Sequence, residues 1–389
     1  VKRFENIFRT FFVLATALIW SRPAPAQETA LASMDSIEVG LLTCSPHNEV
    51  YSLYGHTALH WHDLRTGKQW VFNYGVFDYR KPHFVWRFMM GQTDYMLEAT
   101  SNLEGWCRYY RRWGSKVEEQ VLDLTATEKL RLQQALGKNL ESPVYRYNYF
   151  YDNCSTRPRN ILEQCLEGSI SYAPRQGEAP TFRQLIHELT EGHPWAAFGN
   201  DLLLGFNADR KTTQREQQFL PAWLSYDFDH ATVDRQGVKR PLVLRHIVHV
   251  PQGVQQAEKE FPLSPLACTL LLLIITAAIT LTEWKRKRTF AWFDGLLMFV
   301  TGLAGCLLAL MFFSEHPATS TNLQVLVLNP LSLLFIPAVL RHRRTRWFTI
   351  SLVCCLIFFV GAFWQDYAEG MECVALCLLL RYWIHRNDK

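Results

Sequence analysis

The sequence lacks a strong charge of either sign. Its 40 Lys and Arg nearly balance 36 Asp and Glu, leaving +4 over 389 residues. So small an excess gives no footprint for a nucleic-acid backbone. The charged share is modest at 20% and the aromatic share high at 14%, which excludes a disordered tail or a coiled coil. No internal repeat and no low-complexity tract is present. CxxC and HExxH spacings are missing, so zinc is not expected, and no other cofactor is signalled.

The small net charge hides a split. Residues 1–26 hold Lys2, Arg3, Arg9 and Arg22 against Glu5. From Leu263 to Lys389 there are 11 Lys and Arg against 7 Asp and Glu. The stretch between carries 25 basic and 28 acidic residues and reads as a slightly acidic globular domain.

The two basic ends are also the apolar ones. Lys2, Arg3 and Arg9 precede an apolar core, Phe11 to Trp20, and Ala24-Pro25-Ala26 offers a small-residue cleavage site. That pattern reads as a secretory signal, so the domain after it is expected to be exported. Five apolar segments near the C-terminus read as membrane spans. They are Leu263–Leu281, about Ala291–Phe313, Leu323–Leu340 with Asn329-Pro330 inside it, about Phe348–Trp364, and the shorter Met371–Ile384. Lys285-Arg286-Lys287-Arg288, the run Arg341 to Arg346, and Arg386 with Lys389 then fall on one side, which the positive-inside rule makes cytoplasmic. The expected domains are a signal at 1–26, a periplasmic domain at 27–262 and a transmembrane domain at 263–389, in the inner membrane.

Within the exported domain, Ser52–Trp61 and Gln69–Phe77 read as strands around a turn ending in Gly67. Pro82–Leu97 reads as an aromatic helix, and Val117–Leu124 as a strand. Thr125-Ala126-Thr127-Glu128 is a capping box opening a helix to about Leu140. Cys154–Leu166 and Thr181–Glu191 read as helices. Pro221–Pro251, with Gly237 inside it, reads as a hairpin. Strands first and helices later indicate an α+β class.

Four cysteines lie in this domain: Cys44, Cys107, Cys154 and Cys165. Outside the cytoplasm such thiols can pair. Cys154 and Cys165 on one helix would lie about 16 Å apart, too far to bridge. Cys154 follows Asp152-Asn153, two good N-cap residues, which would put it in a first helical turn. Unpaired N–H groups there lower a thiol pKa and can hold an oxyanion. If Thr156 is the cap instead, Cys154 falls just before the helix.

A cysteine nucleophile needs a base, and His56 follows Gly55 at a strand start. If Asp63 pairs with Lys68, Asn73 faces Ala58 and projects from the same face as His56, within diagonal reach. Asn73 is therefore a candidate to orient the imidazole, and Asp78 is the alternative. Arg157 and Arg159 are candidates to hold a lipid phosphate. Tyr54 and Asn153 flank the two reactive residues and are further candidates for substrate binding.

His on a strand, a polar residue on the next, then Cys at a helix start resembles the order of circularly permuted papain-like enzymes. YSLYGHTALH, VFNYGVFDY, YNYFYDNCSTRPRNIL and NLQVLVLNPL resemble the Lnb family, Bacteroidetes membrane proteins with a periplasmic domain and a C-terminal bundle. The resemblance implies a permuted papain-like thiol-enzyme domain followed by a five-helix transmembrane bundle. It implies lipoprotein N-acyltransferase activity, from a phospholipid acyl donor to the α-amine of diacylated lipoproteins. It carries His56 over as base and Cys154 as nucleophile; Asn73 maps less directly. His60 stands where the family has Arg or a similar polar residue. Two rival readings remain: a cysteine peptidase or amidase acting on cell-wall peptide, and a membrane scaffold with a degenerate papain-like domain.

Overall fold

The structure is a computed structural model that describes residues 31–49, 52–255, 261–343 and 345–387. The signal-like segment 1–26 lies outside the described residues.

The chain opens with strands β1 (Ile37–Cys44), β2 (His56–Asp63) and β3 (Lys68–Val76). A short helix α1 (Phe84–Met89) leads to β4 (Asp94–Thr100), helix α2 (Leu103–Arg112) and β5 (Val117–Leu122). Helix α3 (Ala126–Glu141), β6 (Val144–Arg146) and helix α4 (Thr156–Cys165) come next. Then come β7 (Ser169–Tyr172), α5 (Phe182–Thr190), α6 (Pro194–Leu203) and α7 (Pro221–Asp229). Strands β8 (Ala231–Arg235), β9 (Val238–Pro241) and β10 (Val243–Val250) close this part.

Seven strands form one antiparallel sheet in the order β10-β5-β1-β2-β3-β4-β6. The central strands are apolar on both sides and so are covered on both. Leu41, Leu59 and Trp61 pack with Leu132 and Leu136 of α3 and Leu162 of α4. Leu42, Ala58 and Val71 pack on the other face with Leu103, Cys107 and Tyr110 of α2. Strand β10, from the end of the domain, pairs with β5, so the sheet is complete only at Val250. A second sheet has the order β7-β8-β9.

Several sequence expectations change in detail. The Pro82–Leu97 segment is helical only over α1, then turns at Gly91 (φ +69°), a left-handed position that suits glycine, and becomes β4. The Pro221–Pro251 segment begins as a helix with Pro221 in its first turn, burying Leu224 and Phe228 four residues apart; its hairpin is β8–β9 alone. The Thr125 capping box forms as read, with Thr125 Oγ1 accepting from the Glu128 N–H at 3.2 Å.

Among the described residues, the C-terminal region holds five α-helices: α8 (Pro265–Arg286), α9 (Ala291–Met311), α10 (Ser332–Leu340), α11 (Trp347–Gly361) and α12 (Met371–Asn387). Only α8 and α9, among the described residues, are long and apolar enough to cross a membrane by themselves. The third apolar segment is broken: a 3-10 turn at Leu323–Leu326, the Asn329-Pro330 interruption, then α10. Pro330 cannot donate an N–H to continue a helix. Arg381 of α12 is buried and reaches Asp294 of α9 and Glu283 of α8, each at 2.5 Å. This buried charge thus ties three helices together.

The sheet domain docks on one end of this bundle. Trp195 Nε1 donates to the Leu263 carbonyl at 2.9 Å, at the start of α8. Asn322 Nδ2 donates to the Leu202 carbonyl, and Gln324 Nε2 to the Asp201 carbonyl, each at 2.8 Å. Lys285 and Arg286 stand at the opposite end of α8.

Candidate active site

The β2–β3 register pairs Asp63 with Lys68 and Ala58 with Asn73. The period-two alternation then turns His56 and Asn73 to one face. His56 Nε2–H donates to Asn73 Oδ1 at 2.7 Å. His56 is also hydrogen-bonded to Cys154. With Nε2 held by Asn73, Nδ1 is the nitrogen left for the thiol.

Cys154 lies just outside helix α4, whose N-cap is Ser155. Of the two placements the sequence left open, Cys154 takes the one before the helix, with Ser155 rather than Thr156 as the cap, and Asn153 is the reason. Its Oδ1 accepts from the N–H groups of Ser155 and Thr156, both at 2.9 Å. Its Nδ2 donates to the carbonyls of Tyr149 (3.0 Å) and Phe219 (2.8 Å). Asn153 thus spends its amide on the backbone around the nucleophile, and two helix-start donors expected to face an oxyanion are already taken.

Other donors face the sulfur. The Thr57 N–H, the Ser155 hydroxyl and the Tyr147 hydroxyl each hydrogen-bond Cys154. Burial raises the Cys154 pKa, but the charge of His56 and its hydrogen bond, with those from Thr57 and Ser155, outweigh burial and hold the thiol below its ordinary value. Burial lowers His56, but the thiolate charge and the bonds to Cys154 and Asn73 outweigh it, so the imidazole is raised. Both shifts favour a thiolate–imidazolium pair over the neutral one. The other thiols of the domain differ. Burial pushes Cys44 well up, Cys107 to about 11, and Cys165 upward. All ten cysteines are free, so Cys44, Cys107 and Cys165 form no disulfide here.

Gly75 is what lets the pair meet. It bulges out of the β3–β4 register at φ +146°. A Cβ there would stand 3.0 Å from His56 Cε1 and 3.7 Å from Cys154 Cβ. Gly55, at φ +71°, serves a different contact: its Cβ would meet the Cys44 carbonyl at 2.8 Å.

The thiol opens into a cavity of about 440 Å³, within the range of small-molecule sites. Its walls include Tyr54, Phe77, Trp106, Tyr147, Tyr149 and Asn153. The Tyr54 hydroxyl is engaged by Asn200 Nδ2 at 2.7 Å. Arg157 and Arg159 do not line this cavity. Arg157 pairs with Asp152 at 2.7 Å and lies over the Tyr145 ring at 3.6 Å. Arg159 is buried and donates to Asn160, the Arg215 carbonyl and Gln218. Asp78 is taken up by Arg80 at 3.0 Å, whereas Asn73 holds the imidazole.

A strand histidine, an amide on its neighbour and a lowered thiol thus converge in one aromatic cavity beside an apolar helical region. The family model for the Lnb N-terminal periplasmic domain matches residues 25–188, and that for the Lnb transmembrane domain matches residues 256–388. The chain belongs to the Lnb family. No curated protein and no solved structure matches it. As an Lnb protein it is a membrane protein with a periplasmic part. The periplasmic match stops at residue 188, yet β10 of this Lnb chain completes the same sheet at Val250.

Sequence reasoning missed Tyr147 and the Thr57 N–H. Tyr147 belongs to an alternating run, Tyr145, Tyr147, Tyr149 and Tyr151. The alternation was visible, but which member meets the sulfur depends on how β6 ends. His47 also lines the cavity, stacked on Trp113 at 4.8 Å.

Proposed function

We propose that this Lnb protein is a membrane-anchored lipoprotein N-acyltransferase of the inner membrane. In this reading residues 27–262 form a periplasmic domain of permuted papain-like type, and residues 263–389 span the membrane five times. The observation that carries it is the chain Asn73–His56–Cys154 set in an aromatic cavity: a pre-formed nucleophile beside apolar walls that suit an acyl tail.

The Cys154 thiolate attacks the ester carbonyl of a phospholipid and forms a C–S bond. The Tyr147 hydroxyl and the Thr57 N–H, both directed at the sulfur, are placed to donate to the developing oxyanion. The C–O bond breaks, and the imidazolium of His56 gives its proton to the departing lysophospholipid oxygen. The α-amine of a diacylglyceryl-cysteine lipoprotein then attacks the thioester. Neutral His56 takes the amine proton as the C–N bond forms, and the thiolate leaves. The ion pair is restored and no oxidant or reductant is consumed. Asn73 holds the imidazole so that Nδ1 faces sulfur throughout.

Mass spectrometry of lipoprotein N-terminal peptides tests this, in a host without its own N-acyltransferase. Triacylated peptide is expected with the intact protein and diacylated peptide with Cys154→Ala. Diacylated peptide with the intact protein would overturn the reading. Cleaved wall peptide would favour a thiol amidase, in which water replaces the amine.

A further inference from the structure

The β3–β4 connection is unusual for a domain surface. Tyr79 and Val85 are each 70% exposed, Trp86 52% and Phe88 50%. Helix α1 buries none of its residues. A contiguous apolar patch of this kind marks a surface that meets something apolar.

Its position says what. The carbonyl of Met90 accepts from the Glu315 N–H at 2.8 Å, and His316 Nε2 donates to the Phe88 carbonyl at 2.6 Å. Gln92 Nε2 donates to Glu315 at 3.1 Å, and Arg146 pairs with the same carboxylate at 3.0 Å. Gly91 permits the clamp, since a Cβ there would lie 2.7 Å from the His316 nitrogen. Glu315 lies four residues beyond the end of the apolar helix α9, at Met311, a reach of at most about 14 Å. In the five-span reading above, the exposed face of α1 is held within about 14 Å of where α9 leaves the bilayer. Exposed aromatics with Arg80 and Lys81 beside them match the composition of a membrane interface.

From this patch a file of rings runs inward. Phe88 stacks on Phe84 at 6.0 Å and Phe84 on Phe77 at 5.8 Å; Phe77 meets Tyr95 tilted at 5.0 Å, and Tyr95 stacks on Tyr147 at 4.1 Å. Tyr147 is hydrogen-bonded to Cys154. Phe88, Phe77 and Tyr95 all line the thiol cavity.

We propose that the segment 77–90 dips into the outer leaflet and is the portal through which a phospholipid acyl chain passes from the bilayer to Cys154. The inference rests on the acyl-thioester reading above and adds the route. An acyl chain moving along the ring file exchanges lipid contacts for aromatic ones and never crosses water, which removes the main cost of extracting it.

Two measurements on the full-length protein in native membranes or phospholipid nanodiscs test it. The first puts a photo-crosslinking residue at Val85, with the same residue at exposed Lys239 as reference. Phospholipid adducts at Val85, at least about tenfold above Lys239, are expected of a residue at bilayer depth. Equal yields would overturn the portal. The second compares two acyl donors for the Val85→Asp, Trp86→Asp double variant: vesicle phosphatidylethanolamine and a water-soluble short-chain p-nitrophenyl ester. Acylation of Cys154 from vesicles should fall about tenfold more than acylation from the soluble ester, because the charges oppose insertion. An equal fall with both donors, or no fall, would overturn the portal. The underlying reading fails differently: intact protein would then take no acyl group on Cys154 from vesicles, whatever Val85 crosslinks and even if the soluble ester still acylates it.

Discussion

His56 Nε2 lies 2.7 Å from Asn73 Oδ1, across two neighbouring strands. One hydrogen bond thereby sets which face of the imidazole meets the thiol. Asn73→Ala should lower the turnover of lipoprotein acylation about 10²-fold with little change in the half-saturating substrate concentration. The bond also raises His56, so its loss should move the alkaline limb of the pH–rate profile to lower pH. Rates measured across pH with intact and variant protein check both.

The lowered thiol gives a second expectation. Cys154 should alkylate with iodoacetamide well below the pH at which an ordinary thiol ionises, about 8.5. In His56→Ala the favourable charge is gone while burial, which raises the pKa, remains. The midpoint should then move upward, past the ordinary value. Peptide mapping of alkylated Cys154 reads this out, and an unchanged midpoint would remove His56 from the ion pair.

A side chain at Gly75 would crowd the His56 ring. Gly75→Ala should displace His56 and strain a backbone at φ +146°. A stability loss of about 1–3 kcal/mol is expected, together with loss of Cys154 reactivity towards iodoacetamide at neutral pH. A fully reactive Gly75→Ala protein would show that the ring tolerates movement there.

Far from the thiol, Glu119 is buried between His60 and His249, at 2.8 and 2.6 Å. Gly40 leaves space for it, since a Cβ there would fall on the carboxylate. Burial raises Glu119, but hydrogen bonds from His249 and His60 and their charges outweigh it and hold the carboxyl at about 2. A depressed acid stabilises the fold above its unfolded pKa, near 4.5, and that contribution is lost as pH falls towards 2. The full term is about 3 kcal/mol. Denaturant midpoints of intact protein and Glu119→Gln should therefore differ at pH 7 and draw together in acid.

In the bundle, Arg381→Leu would leave Glu283 and Asp294 buried without their shared cation. The cost is about 3–5 kcal/mol, enough to lower the amount of folded protein recovered from membranes. Replacing all three by apolar residues should restore it. Recovery of a monodisperse detergent-solubilised protein measures this.

Much of the site was legible in the chain. The β2–β3 register came from a turn at Gly67 and a period of two, and that alone put Asn73 beside His56. What was less legible depended on competition for the same atoms. Asn153 looked available for substrate until its amide was seen holding the Ser155 and Thr156 N–H groups. Arg157 and Arg159 looked like phosphate ligands, and each has partners inside the domain instead. Tyr147 was one of four alternating tyrosines with nothing local to single it out.

By itself the sequence determined what is set by near neighbours: the Thr125 cap, the pairing of two strands joined by a short turn, and the motifs that carry the Lnb family. Tertiary structure decided the rest. Whether Cys154 is a thiolate depends on charges brought from residue 56, and whether α1 is a surface or a membrane contact depends on residues 315 and 316, more than 200 positions away. The small net charge with which the chain began says nothing of either. Such contacts are fixed by packing of distant segments, and packing energy is a property of the folded whole.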